Sequence, residues 1–145
     1  MPALDPFNLQ RFVEAQNGVF ENALLEIRQG SKQSHWIWFI FPQLAELGRS
    51  PTAKFYGLTS LAEARAYLEH PSLGPRLEKC VEALLALASD RSAEQIFGAI
   101  DAMKLRSSLT LFDRVRPHQL FGRALLNFFG GARDELTLAL LDRER

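Results

Sequence analysis

One cysteine, Cys80, is all the chain carries among 145 residues. That excludes an internal disulfide framework and a cysteine-rich metal site, and a lone free thiol fits a reducing compartment. An excess of charge of either sign is missing as well. There are 17 basic and 17 acidic residues and a formal net charge of zero. Electrostatic capture of nucleic acid needs a clustered basic surface, so no nucleic-acid partner is expected. The longest strongly apolar run, Trp36 to Phe41, is far short of the ~20 residues that span a bilayer. The opening residues, Met1-Pro2-Ala3-Leu4-Asp5, lack the basic-then-apolar order of a signal peptide. A cytoplasmic location and no membrane partner are therefore expected. Low-complexity linkers and fixed-period repeats are absent too, which predicts a single domain over residues 1–145. At that length roughly two-thirds of the unfolded chain's surface is buried on folding, so no staple is required. Gly30-Ser31-Lys32 lacks the spacing of a phosphate-binding P-loop. His35, His70 and His118 are widely separated and form no helical metal-ligand pair. Nothing resembles a nucleophile elbow or a kinase signature. No cofactor and no metal are expected.

What is present is helical. Hydrophobic residues make up 47% of the chain, and eleven phenylalanines, two tryptophans and two tyrosines promise an aromatic core. Leu9, Phe12 and Val13 have helical spacing, with Asn8 as the expected N-cap. After the Asn17-Gly18 turn, Phe20, Ala23, Leu24 and Ile27 mark a second helix closed by Gly30. The segment His35 to Phe41 would suit a buried strand by composition. A lone strand cannot satisfy its backbone groups, however, so a helix is expected there, capped by Ser34 and ending near Pro42. Ser50-Pro51 reads as an N-cap with proline at the first helical position, and that helix stops at Gly57. Ser60 and Glu63 match a capping box for a helix running to about His70. Leu77, Cys80, Val81, Leu84 and Ala88 stripe a longer helix from near Pro75. Ser92 and Gln95 form a second box, and Gly98 interrupts the helix there. Ala102, Leu105, Leu109 and Phe112 share a face, as do Phe121, Ala124, Leu125 and Phe128 before Gly130-Gly131. Asp134 caps a last helix through Leu136 and Leu140. The expected architecture is all-α, a single compact domain of seven or eight short-to-medium helices, orthogonal and bundle-like.

Two polar constellations stand among the apolar stripes. Ser34-His35-Trp36-Ile37-Trp38-Phe39-Ile40-Phe41-Pro42-Gln43 groups a histidine, two tryptophans and an amide around a proline. Histidine exchanges protons near neutral pH; tryptophan faces hold flat rings; Gln43 reads a polar edge as donor and acceptor. Plain core packing of the aromatics is the alternative. Asp101, Lys104 and Ser108 are spaced i, i+3 and i+7, which puts acid, ammonium and hydroxyl on one helix face. They suit a polar ligand or acid–base steps. The alternative is an exposed Asp–Lys pair worth under ~1 kcal/mol beside a serine bonded to its own helix. Gly130-Gly131-Ala132-Arg133-Asp134 is explained by a C-cap and an N-cap. Cys80 lies on an apolar stripe and reads as core rather than nucleophile.

These strings, with Tyr56-Gly57-Leu58, Glu63-Ala64-Arg65-Ala66-Tyr67-Leu68-Glu69-His70-Pro71, Phe97-Gly98, Phe128-Phe129-Gly130-Gly131 and Thr137-Leu138, resemble a family of uncharacterised bacterial and fungal proteins, domain of unknown function 1810. The resemblance covers nearly the whole chain and implies an α-helical fold with no established activity. Members sometimes carry the label calpastatin. Calpastatin-like inhibitors are disordered until they dock, whereas this composition is that of a self-folding domain. A fainter similarity links the aromatic-histidine-glutamine segment to proteins that cleave N-glycosidic bonds of ADP-ribose derivatives. Their acidic residue beside the histidine is replaced here by Ser34.

The leading expectation is a pocket for a nucleotide-like small molecule. His35, Trp38 and Gln43 would form one wall and Asp101, Lys104 and Ser108 the other. Were it an enzyme, it would be a hydrolase. Asp101 would activate water or steady a cationic transition state, with His35 as its catalytic companion, and Lys104 would meet a phosphate. Asp101→Asn is then expected to cost no more than ~1 kcal/mol of stability. The rival expectation is a non-enzymatic interaction module anchored by an exposed tryptophan.

Overall fold

In the computed structural model residues 4–87 and 91–144 are described. Among them the chain forms ten α-helices and one 3-10 turn. The helices are α1 (Gln10–Gln16), α2 (Phe20–Gln29), α3 (Ile37–Ile40), α4 (Pro51–Phe55), α5 (Leu61–Glu69), α6 (Leu73–Ala86), α7 (Ala93–Phe97), α8 (Ala99–Val115), α9 (Leu120–Phe129) and α10 (Glu135–Asp142), with the 3-10 turn at Ala45–Leu47. That exceeds the seven or eight expected; three of the ten are four- or five-residue helices. Gly98 also ends one helix and begins the next. Its φ of 83° with ψ of 161° is open to glycine at little cost and closed to most other residues. The described residues contain no strand; their one extended pairing is a parallel bridge between Leu44 and Leu58. No helix among them is long and apolar enough to cross a membrane.

The helix α8 is the centre of the molecule, packed by α5, α7, α9, α10 and α3, while α2 lies on α6. Its stripe Ala102, Leu105, Leu109 and Phe112 is buried as the spacing predicts. A chain of rings runs through the core: Phe12 edge-on to Tyr67, Tyr67 to Phe112, Phe112 to Phe121, at centroid distances of 5.1, 5.5 and 5.6 Å. Trp36, Phe41 and Phe97 form a second aromatic cluster. Cys80 is fully buried, and burial pushes its thiol up to about 12, which leaves it a core residue. Ala88, the last member of the α6 stripe, lies outside the described residues.

Helix ends correct several expectations. Asn8 does not cap α1: it has a φ of 53°, and the side chain that receives the free amides of Leu9 and Gln10 is that of Asp5. Those two bonds, Gln10's first, hold the Asp5 carboxyl below its ordinary range. Ser92 and Gln95 make the complete reciprocal box. Ser60 makes only its own half, because Glu63 turns away to accept from Thr59 N–H, Thr59 Oγ1 and Arg11. The start of α6 is two residues earlier than expected, since His70 Nδ1 accepts from Ser72 and Leu73 N–H. The last helix buries Thr137 and Leu141 rather than Leu136 and Leu140. Asp134 takes both the amide and the hydroxyl of Thr137, so that residue enters the core with its polar groups satisfied.

A candidate ligand-binding groove

The helix expected from His35 to Phe41 is cut to a single turn, Ile37–Ile40, and a buried carboxylate explains its late start. Glu26 Oε1 accepts from Gln33 N–H (2.8 Å), Ser34 N–H (3.0 Å) and the indole N–H of Trp36 (2.9 Å). Glu26 Oε2 accepts from Asn22 and from the Ser34 hydroxyl. Ser34 is therefore spent on Glu26 and does not cap; one helical turn, Ile37–Ile40, begins only after Trp36. Burial pushes the Glu26 carboxyl up, but the bonds from Ser34 Oγ, Gln33 N–H, Trp36 Nε1 and Ser34 N–H outweigh it and hold the group at about 2. With Ser34 and Trp36 both tied inward, His35 between them is exposed to solvent.

Beyond α3 the chain turns back through Gln43. Leu58 N–H donates to Gln43 C=O and Ala45 N–H to Leu58 C=O, at 2.9 and 2.8 Å. The pairing is tight because residue 57 is glycine: a Cβ there would lie 2.3 Å from Ala45 Cα. The resulting corner, the 3-10 turn and the start of α4 make one side of a groove of about 510 Å³, with Trp38, Gln43, Leu47 and Arg49 along it. The other side is a face of α8, with Ile100 and Met103 exposed, Lys104 half-buried and Ser107 buried, and Asp134 and Leu136 at the start of α10 complete the lining.

Trp38 is half-buried, and the Lys104 ammonium lies 5.0 Å from its ring centre. The ring's negative face attracts that charge and holds it at the groove. Behind them Asp101 bridges two lysines. It is 2.8 Å from Lys32 and 3.5 Å from Lys104. Lys32 is buried to 6% side-chain exposure, donates to Ser34 C=O at 2.6 Å, and lies 4.9 Å from the Trp36 ring. Both tryptophans thus carry a lysine on one face, joined through one carboxylate. Asp101 is not the exposed surface partner that spacing suggested. Its shorter contact is with a buried cation from a different part of the chain.

Of the six residues singled out in the sequence, Trp38, Gln43 and Lys104 line the groove together. Asp101 stands behind Lys104. His35 is exposed and outside the lining, and Ser108 is fully buried with no hydrogen-bond partner for its Oγ among the described residues. The lining residues missed include Leu47, Arg49, Ile100, Met103, Ser107 and Leu136, and Asp134 reads in the sequence only as a cap. The α8 set had a signal: Ile100, Met103, Lys104 and Ser107 are spaced i, i+3, i+4 and i+7 on the face opposite the core stripe. Two large apolar residues on an outward face announce a surface with a use.

A family model described as protein of unknown function (DUF1810) matches residues 6–141. The chain belongs to that family. The fold of this DUF1810 protein is also similar to a solved structure, the conserved hypothetical protein Rv1873 of Mycobacterium tuberculosis. The two are 49% identical, with 95% of this chain and 99% of that one covered, at a TM-score of 0.92. No match is found among curated proteins. Family and neighbour share an unknown function, so any activity has to be argued from the groove.

Proposed function

We propose that this protein binds a small molecule bearing a flat ring, nucleotide-like in shape, in the groove beside Trp38. The observation that carries the reading is Trp38 itself, a half-buried indole with a lysine on its face, bordering a groove within the ~300–1,000 Å³ typical of small-molecule sites. Apolar side chains from Leu47, Ile100, Met103 and Leu136 supply contact area. The Gln43 side chain, without a hydrogen-bond partner among the described residues, supplies a donor and an acceptor for a polar edge.

Binding is favoured over hydrolysis of an N-glycosidic bond. Such hydrolysis needs a carboxylate free to activate water or to steady positive charge. The groove's own carboxylate, Asp134, is engaged by Thr137 and faced by Arg106. Asp101 is clamped between two lysines. One feature favours the second reading, an interaction module. Ile100, Met103 and Leu136 on the groove rim are 73%, 66% and 57% exposed, more apolar surface than a lone small ligand needs.

A thermal-shift screen against nucleosides, nucleotides, NAD and aromatic acids tests the proposal. A ligand at ~100 times its Kd should add about 2.7 kcal/mol of stability, and Trp38→Leu should abolish the shift. A flat screen, or a shift that survives Trp38→Leu, counts against the groove and moves the rim to the interaction-module reading.

A further inference from the structure

Resting on that groove reading, we infer that the ligand is an anion: a flat ring carrying one oxyanion, carboxylate or phosphate, set between Arg49 and Lys104. The inference comes from the distribution of charge. Two cations and one carboxylate line the groove, Arg49, Lys104 and Asp134. The carboxylate is already neutralised. Asp134 Oδ2 accepts from Thr137 N–H at 2.9 Å and Thr137 Oγ1 at 2.6 Å, and the Arg106 guanidinium is 3.7 Å from Oδ1. The other nearby acid, Asp101, serves two lysines. Its contact with buried Lys32 is both shorter and better shielded from water, 2.8 Å against 3.5 Å for Lys104. Attraction grows as distance and dielectric fall, so Lys32 takes the larger share of that charge. One acid for two lysines leaves one positive charge over, on the groove side. Arg49 has no ion pair among the described residues and adds a second. A chain of zero formal charge thus gathers a surplus of positive charge on one apolar-walled concavity, with Arg49 unpaired among the described residues and Lys104 sharing Asp101 with Lys32.

A neutral ligand seated there would cover these cations without pairing them, which is costly. An oxyanion converts that cost into charge-assisted hydrogen bonds. Arg49 offers a planar fork and Lys104 a point charge already held by Trp38.

The test is a set of NMR titrations of the full-length, nitrogen-15-labelled chain, following the indole N–H signals. Trp36, buried and bonded to Glu26, reports that the fold is intact, and Trp38 reports the groove. Two probe pairs differ at one position by an anionic group: adenosine 5′-monophosphate against adenosine, and indole-3-acetate against its near-isosteric amide, indole-3-acetamide. In at least one pair the charged member should bind about tenfold tighter or more, equivalent to 1.4 kcal/mol, and the gap should shrink at high ionic strength. A gap in the phosphate pair alone assigns phosphate, and in the carboxylate pair alone carboxylate. In the Arg49→Gln/Lys104→Gln variant the advantage of the charged member should vanish. Equal affinity of charged and neutral members in both pairs overturns the anion inference and leaves the groove reading standing. A Trp38 signal that moves with none of the four probes overturns the groove reading itself.

Discussion

Replacing Glu26 by glutamine perturbs the group that shapes the loop in front of the groove. Glutamine keeps an acceptor for Gln33 N–H, Ser34 N–H and Trp36 Nε1. It puts an NH2 where Oε2 received the Ser34 hydroxyl and the Asn22 amide. Two bonds are lost, and the other three lose their charge assistance. Hydrogen bonds to a charged group are worth about 1.5–3 kcal/mol against about 1 kcal/mol for neutral ones, while a buried amide is cheaper to desolvate than the carboxylate, which offsets part of that loss. Proton linkage sets the net size. A carboxyl moved from 4.5 to about 2 on folding contributes roughly 3 kcal/mol at neutral pH. The sign follows from a folded-state value below the unfolded one: the contribution is complete above pH 4.5 and is lost as pH falls towards 2. Urea unfolding, read by tryptophan fluorescence, should therefore show Glu26→Gln roughly 3 kcal/mol less stable than wild type at neutral pH, with the gap closing through that acid window. A variant as stable as wild type at neutral pH, or a gap independent of pH, would refute the role given to Glu26.

Asp101→Asn should cost about 3 kcal/mol or more by the same assay, well beyond the ~1 kcal/mol of an exposed pair, because it leaves Lys32 charged and buried without its partner. A loss under 1 kcal/mol would mean that Lys32 is solvated. Trp36→Ala should cost about 3–5 kcal/mol as a fully buried aromatic with a bonded indole N–H. Trp38→Ala should cost clearly less, since that residue is only partly buried against the core; equal losses would make Trp38 a core residue.

How far the sequence could be read depended on whether a feature was local. Stripes such as Ala102-Leu105-Leu109-Phe112, the Ser92–Gln95 box and the Asp134 cap depend on neighbours within a turn or two, and the structure has them where the spacing puts them. What escaped depends on contacts between distant residues. The helix expected from His35 shrank to one turn because Glu26, eight residues before Ser34, collects its donors. Asp101 looked like the partner of Lys104 at i+3, yet its shorter contact is with Lys32, 69 positions away. Part of the groove was visible in Trp38, Gln43 and Lys104. On α8 the rest was one helical face away from where the polar residues drew attention, because Asp101 and Ser108 turn towards the interior while Ile100 and Met103 are exposed.

The central claim is that the face between Trp38 and Lys104 is a ligand site. Backbone amide shift mapping with a mixture of small aromatic fragments tests it without prior choice of a ligand. Perturbations confined to the neighbourhood of Trp38, Gln43, Arg49, Met103, Lys104 and Leu136 are the result this account predicts. Perturbations centred on any other part of the surface, with those residues unmoved, would contradict it.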